Sequence, residues 1–179
     1  MTARKLQLVL SGGLVVGAAL LIVNPSASDA ASGLIDEKNR RLAPDFPLND
    51  SHGIEGRLSD YKRKVILLNF WATWCGPCKL EIPWFVEFEN KYKNSGFAVL
   101  GVSMDDDGWK SVRPYMEQKR MNYRVILGDN STASKYGGIA ALPETLLIDR
   151  EGRIAARHVG LTGKNNYEQG IVELLKMKE

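Results

Sequence analysis

From about residue 44 onward, short apolar runs alternate with stretches in which apolar side chains recur every three or four residues. Val65–Phe70, apolar apart from Asn69, and Phe97–Ser103 are runs of the kind a strand buried on both faces requires. Helical spacing takes over in Cys75–Lys93, where Trp84, Phe85 and Phe88 form the predicted core stripe. Trp109, Val112 and Met116 mark a second helix, with Asp105–Asp107 as its expected cap. A strand at Arg124–Leu127 and a short helix at Ser131–Tyr136, stopped by Gly137-Gly138, follow. Glu144–Asp149 and Arg153–Val159, joined across Glu151-Gly152, predict a hairpin, and Asn165–Lys176 a closing helix. Ahead of these, Phe46–Leu48 and Ile54–Leu58 flank the polar Asn49–Gly53 and predict an N-terminal β-hairpin. Strands alternating with helices give an α/β class with a central mixed sheet flanked by helices.

Residues 1–30 follow a different rule. Arg4 and Lys5 precede the apolar run 6–23, and the small polar segment Asn24–Ala30 comes next. That is the order of a signal peptide, with Ser28 and Ala30 at the small positions of a cleavage site. The 18-residue run is long for a signal core and short for a span, so an uncleaved N-terminal membrane anchor is the other reading. Either way, the rest of the chain is expected outside the cytoplasm. Residues 31–43 then form a linker and 44–179 one domain, large enough for its own core. Losing Arg4, Lys5 and Asp29 with the leader lowers the formal charge of +3 by one, which gives no electrostatic case for nucleic acid.

The chemistry is concentrated at one junction. The chain's two cysteines, Cys75 and Cys78, enclose Gly76-Pro77 where the first apolar run gives way to the first helical pattern. Backbone N–H groups at a helix start lack partners and favour an anion there, here the Cys75 thiolate. Thiolate is the nucleophile of disulfide exchange, and this setting lowers a cysteine's pKa. Cys78, one turn on, lies on the same side and is placed to close a disulfide with Cys75. A zinc site needs about four ligands, and His52 and His158 are remote and unpatterned, so no metal is expected. The Asp105–Asp107 run lacks the alternating oxygen ligands of a calcium loop. A purely structural disulfide over so short a loop would restrain the unfolded chain little.

Trp74, Cys75, Pro77, Cys78, Glu81 and Pro83 spell W-C-x-P-C-x-x-E-x-P. The chain thereby resembles thioredoxins, and more closely the extracytoplasmic ResA/TlpA/DsbE-like branch of the AhpC/TSA-Redoxin group, over about residues 44–175. The resemblance implies a thioredoxin-like fold with a helical insertion near 105–123, a Cys75–Cys78 redox disulfide and no cofactor. Asn69 stands where cytosolic thioredoxin has a buried aspartate near the second cysteine, and an amide cannot take a proton. The resemblance gives that task to Glu81, three residues after Cys78; the alternative is an exposed glutamate paired with a lysine. Pro83 is expected to kink the helix. Ala141-Leu142-Pro143-Glu144 matches the family's cis-proline element, which would offer the Leu142 backbone to an extended substrate. Trp74, Gly76 and Pro77 would form the rest of that contact. Glu144 resembles an acid of the cytochrome c maturation members, and reads equally as a surface acid.

The implied activity is thiol:disulfide exchange, with oxidised exported proteins, apocytochrome c among them, as substrates. A membrane thiol transporter of the DsbD/CcdA type would supply electrons. Two other functions fit the sequence less well. A peroxidase on this fold carries proline and threonine seven and three residues before its cysteine, where this chain has Leu68 and Ala72. A non-catalytic binding module would leave Trp74–Cys78 without a purpose.

Overall fold

The computed structural model describes residues 33–177, so the expected leader with its cleavage segment lies outside the described residues. Six strands form one mixed sheet: β1 (Arg41–Leu42), β2 (Val65–Trp71), β3 (Phe97–Ser103), β4 (Arg124–Leu127), β5 (Glu144–Ile148) and β6 (Arg153–Val159). Their order is β1-β6-β5-β2-β3-β4. β2, β3 and β4 run parallel, while β5, β6 and β1 join antiparallel. Four helices, α1 (Cys78–Tyr92), α2 (Trp109–Lys119), α3 (Asn130–Lys135) and α4 (Lys164–Lys176), complete the fold.

β2 is buried along its whole length, and its alternation divides the core. Leu67 and Trp71 point to one face, where Ile82, Phe85 and Phe88 of α1 meet Tyr167, Ile171 and Leu174 of α4. Ile66, Leu68 and Phe70 point to the other, against Phe46, Leu48, Ile126 and Tyr136. α1 runs through Pro83 without interruption. The parallel β2-β3-β4 portion puts the carboxyl ends of these strands at one edge, and the β2–α1 junction stands there.

Three expectations are revised. The N-terminal hairpin is a loose ladder rather than two strands: Leu48 N–H donates to Gly56 (2.7 Å), Leu58 N–H to Phe46 (3.2 Å), and only Pro47 and Arg57 pair as a bridge. Pro47 sits at a non-hydrogen-bonded position of that pair, where its missing N–H removes no bond of the ladder. α1 begins at Cys78 rather than Cys75, because Cys75–Pro77 form a turn and Pro77 (φ −61°) then serves as a ready-set helix start. The Asp105–Asp107 cap does not form. α2 starts at Gly108 with no side-chain cap, while Asp107 accepts the Ser111 hydroxyl and Asp105 turns inward.

Candidate active site

β2 ends at Trp71, residues 72–77 turn, and α1 starts, so the chain reverses at the edge where the parallel strands stop. The turn is held from within and from the side. Cys75 N–H donates to Ala72 (3.1 Å). Thr73 gives both its N–H (3.0 Å) and its hydroxyl (2.5 Å) to Asp105, which also accepts from Ser103 Oγ (2.8 Å) at the end of β3. A buried carboxylate thus ties the cysteine turn to the neighbouring strand.

Cys75 and Cys78 are joined by a disulfide, with their Cα atoms 5.4 Å apart. Cys78 N–H points at Cys75 Sγ (3.3 Å), one of the unpaired donors a helix start offers to a sulfur anion. Both cysteines are buried in this oxidised form, Cys75 at 4% exposure and Cys78 at 1%, and the exposed side chains at the turn are those of their neighbours. Trp74, at 67% exposure, Gly76 and Pro77 form the rim.

Glu81 is fully buried, which removes the surface-pair reading. Its Oε1 accepts from Tyr167 Oη (2.7 Å) and from the Thr162 N–H (3.2 Å); Oε2 has no partner among the described residues. Burial raises its pKa, against the opposing pull of those two hydrogen bonds. Asn69, also buried, donates from Nδ2 to Thr145 Oγ1 (2.9 Å) across the β2–β5 pair. Its side chain is engaged in joining two central strands.

The Leu142–Pro143 peptide is cis. Phe70 pairs with Glu144, so Pro143 enters β5 beside the end of β2, where the cysteine turn departs. Pro143 is buried and Leu142 half-buried against both halves of the core. Val159, paired with Glu144, and Leu161, next to the Thr162 that meets Glu81, are exposed apolar side chains on the same edge, as is Leu80 on α1.

Glu144 is fully buried, so it is not a surface acid. It lies on the opposite sheet face from Glu81, with Arg157 Nη2 at 2.6 Å from Oε1 as an ion pair lacking hydrogen-bond geometry. Thr162 and Tyr167 are residues the sequence did not single out, and Asp105 stands out there only as a helix-cap acid. Asp105 was visible as part of an acidic run, but Tyr167 reaches Glu81 from 86 residues away and left no local signal.

Residues 40–157 match the AhpC/TSA family. The thiol-disulfide oxidoreductase ResA of Geobacillus thermodenitrificans is 33% identical over 127 residues, 71% of this chain and 72% of that protein. ResA of Bacillus subtilis is 34% identical over 112 residues, 63% of this chain and 62% of its own length. Among solved structures, a Chlorobium tepidum protein assigned as the thiol:disulfide interchange protein DsbE superposes with a TM-score of 0.70 at 34% identity, covering 76% of this chain and 96% of that one. A secreted thiol-disulfide isomerase of Corynebacterium glutamicum, 24% identical and covering 80% of this chain and 91% of its own, shares the fold with a TM-score of 0.75.

Proposed function

The chain belongs to the AhpC/TSA family and is a thiol:disulfide oxidoreductase, and from that premise we propose that it reduces exported proteins, with Cys75 attacking and Cys78 resolving. One observation supports the division of labour: Cys75 Sγ, in the turn before α1, accepts the Cys78 N–H of the helix start, whereas Cys78 is the first helical residue, is the more buried of the two, and has the buried Glu81 one turn further along the same helix. In the reduced protein the Cys75 thiolate attacks a substrate disulfide, forming a mixed disulfide and releasing one substrate thiolate. Cys78 gives its proton to Glu81 and attacks Cys75 Sγ. The bond from Cys75 to the substrate breaks, the Cys75–Cys78 disulfide forms, and the second substrate sulfur leaves as thiolate. Two electrons pass from the dithiol to the substrate.

Substrate chains dock against Trp74, Gly76 and Pro77 and pair with the backbone of Leu142 ahead of Pro143. Supporting this, neither the N–H nor the C=O of Leu142 is hydrogen-bonded among the described residues. The Gly-Pro dipeptide is that of reducing thioredoxins, near about −270 mV, rather than of strong oxidants near about −120 mV. A reductant outside the cytoplasm requires electrons from within, which assigns a membrane thiol carrier of the DsbD/CcdA type as donor. Residues 1–30 supply export or anchoring, and apocytochrome c is among the substrates.

The test is trapping. Cys78→Ser, expressed with its leader in an exporting host, should accumulate mixed disulfides on Cys75 that name the substrates, and Cys75→Ser should accumulate none. Equal capture by both variants would overturn the assignment of roles, and an equilibrium potential near that of the strong oxidants would overturn the direction.

A further inference from the structure

The carboxylate of Glu81 is held asymmetrically. Both of its donors, Tyr167 Oη at 2.7 Å and the Thr162 N–H at 3.2 Å, go to Oε1, and the buried Oε2 accepts from none of the described residues. We propose that Tyr167 is a positioning residue for the resolving step: by holding Glu81 through Oε1, it leaves Oε2 as the oxygen that takes the Cys78 proton. The proposal rests on the reading of Glu81 as proton acceptor.

The phenol is itself well fixed. Tyr167 is fully buried on α4, and its ring packs edge-on against Phe85 of α1 (5.5 Å) and His158 of β6 (5.1 Å). Burial and the nearby Glu81 charge push its pKa up, so it stays a donor while Glu81 titrates. The titratable groups facing this carboxylate are Cys78 from α1, Tyr167 from α4 with His158 behind its ring, and Tyr123 from the chain entering β4, whose phenol feels the Glu81 charge. Burial lowers the His158 pKa, so that ring brings no positive charge at neutral pH. No cation offsets Glu81 from these positions. The Tyr167 hydrogen bond is therefore the main side-chain interaction favouring the charged form that must receive a proton.

The Cys78 S–H bond breaks and an O–H bond forms at Oε2. The freed sulfur attacks Cys75 Sγ and displaces the substrate sulfur, which takes its proton from solvent. A buried carboxylate oxygen without donors is costly when charged and less so once protonated. The disulfide form described here is the state after that transfer.

Tyr167→Phe keeps the packed ring and removes only the donor. Two readouts are needed: the Glu81 carboxyl titration by 13C NMR, and the pH profile for release of thionitrobenzoate from a mixed disulfide preformed on Cys75. In Tyr167→Phe both should move to higher pH together, with release at pH 7 slowed roughly tenfold, the scale of one hydrogen bond to a charged group. Tyr167→Phe should slow release no further in a Glu81→Gln background. An unmoved Glu81 titration, or further slowing in that background, overturns the role of Tyr167 and leaves Glu81 as acceptor standing. A titration that moves while the release profile does not overturns Glu81 as acceptor, and this proposal with it.

Discussion

The burial of Glu81 bears on both the proposed rate role and stability. If Glu81 is the proposed base, it is worth on the order of 10–100-fold, at or below the usual range for general-base catalysis, so Glu81→Gln should slow mixed-disulfide resolution by that much and flatten its pH dependence. Unchanged resolution from pH 6 to 8 would refute the assignment. The same burial acts on folding. Glu81 holds its proton to higher pH in the folded than in the unfolded chain, so between those two pKa values the folded state binds more protons. Stability is then lost as pH rises from about 4.3, the unfolded value, through the folded one. Melting curves of wild type and Glu81→Gln should diverge across that window, with wild type falling relative to the variant as pH rises. Parallel curves from pH 4 to 8 would argue against a raised pKa. His158 has the opposite sign. Its lowered pKa means the unfolded chain binds more protons, so stability is lost as pH falls below about 6.5. His158→Gln should remove that loss, as seen in the melting temperature at pH 5.5 against 7.5.

At the scale of elements, the site depends on how the β2–α1 turn is clamped to β3. Asp105 takes three donors there, two from the half-buried Thr73 and one from the buried Ser103. Asp105→Ala leaves them without their acceptor and should cost about 1–3 kcal/mol in urea unfolding. It should also slow attack by Cys75, because Thr73 is two residues ahead of it. A loss below a few tenths of a kcal/mol would show that water replaces the carboxylate. From the sequence, Asp105 reads as one of three acids capping a helix, and two competing demands decide otherwise. α2 opens after Gly108, which has a positive φ (58°), and the Asp105 carboxylate is taken up by the Thr73 N–H and hydroxyl and the Ser103 hydroxyl. A local pattern registers the acid but not the partner, since Thr73 and Asp105 are 32 residues apart.

At the scale of the molecule, the sheet separates two chemistries. One face carries α1, α4, the disulfide and Glu81; the other carries the N-terminal ladder, Glu144 and Arg157. The described domain takes its first contacts from Leu34 and Ile35, whose N–H donates to Ala155 (2.7 Å). A chain beginning at Ala31 should therefore match the full protein in melting temperature and in insulin-disulfide reduction. Mass spectrometry of the exported protein decides the leader: an N-terminus at Ala31 marks a cleaved signal, and an intact one in the membrane fraction marks an anchor.

The sequence alone determined what depends on neighbours along the chain. Alternation and helical spacing gave the order of strands and helices, and Trp74–Cys78 at a strand-to-helix junction gave the chemistry, because a dithiol needs only one helical turn to close. It also marked Glu81, which lies one turn beyond Cys78. The tertiary structure decided whether those groups are charged, covered or oriented. Glu81 and Glu144 are two acids of similar local appearance, yet both are buried, on opposite faces of one sheet, with a phenol against one and a guanidinium against the other. A carboxylate's affinity for protons is set by desolvation and by donors brought from far along the chain, and only folding brings them.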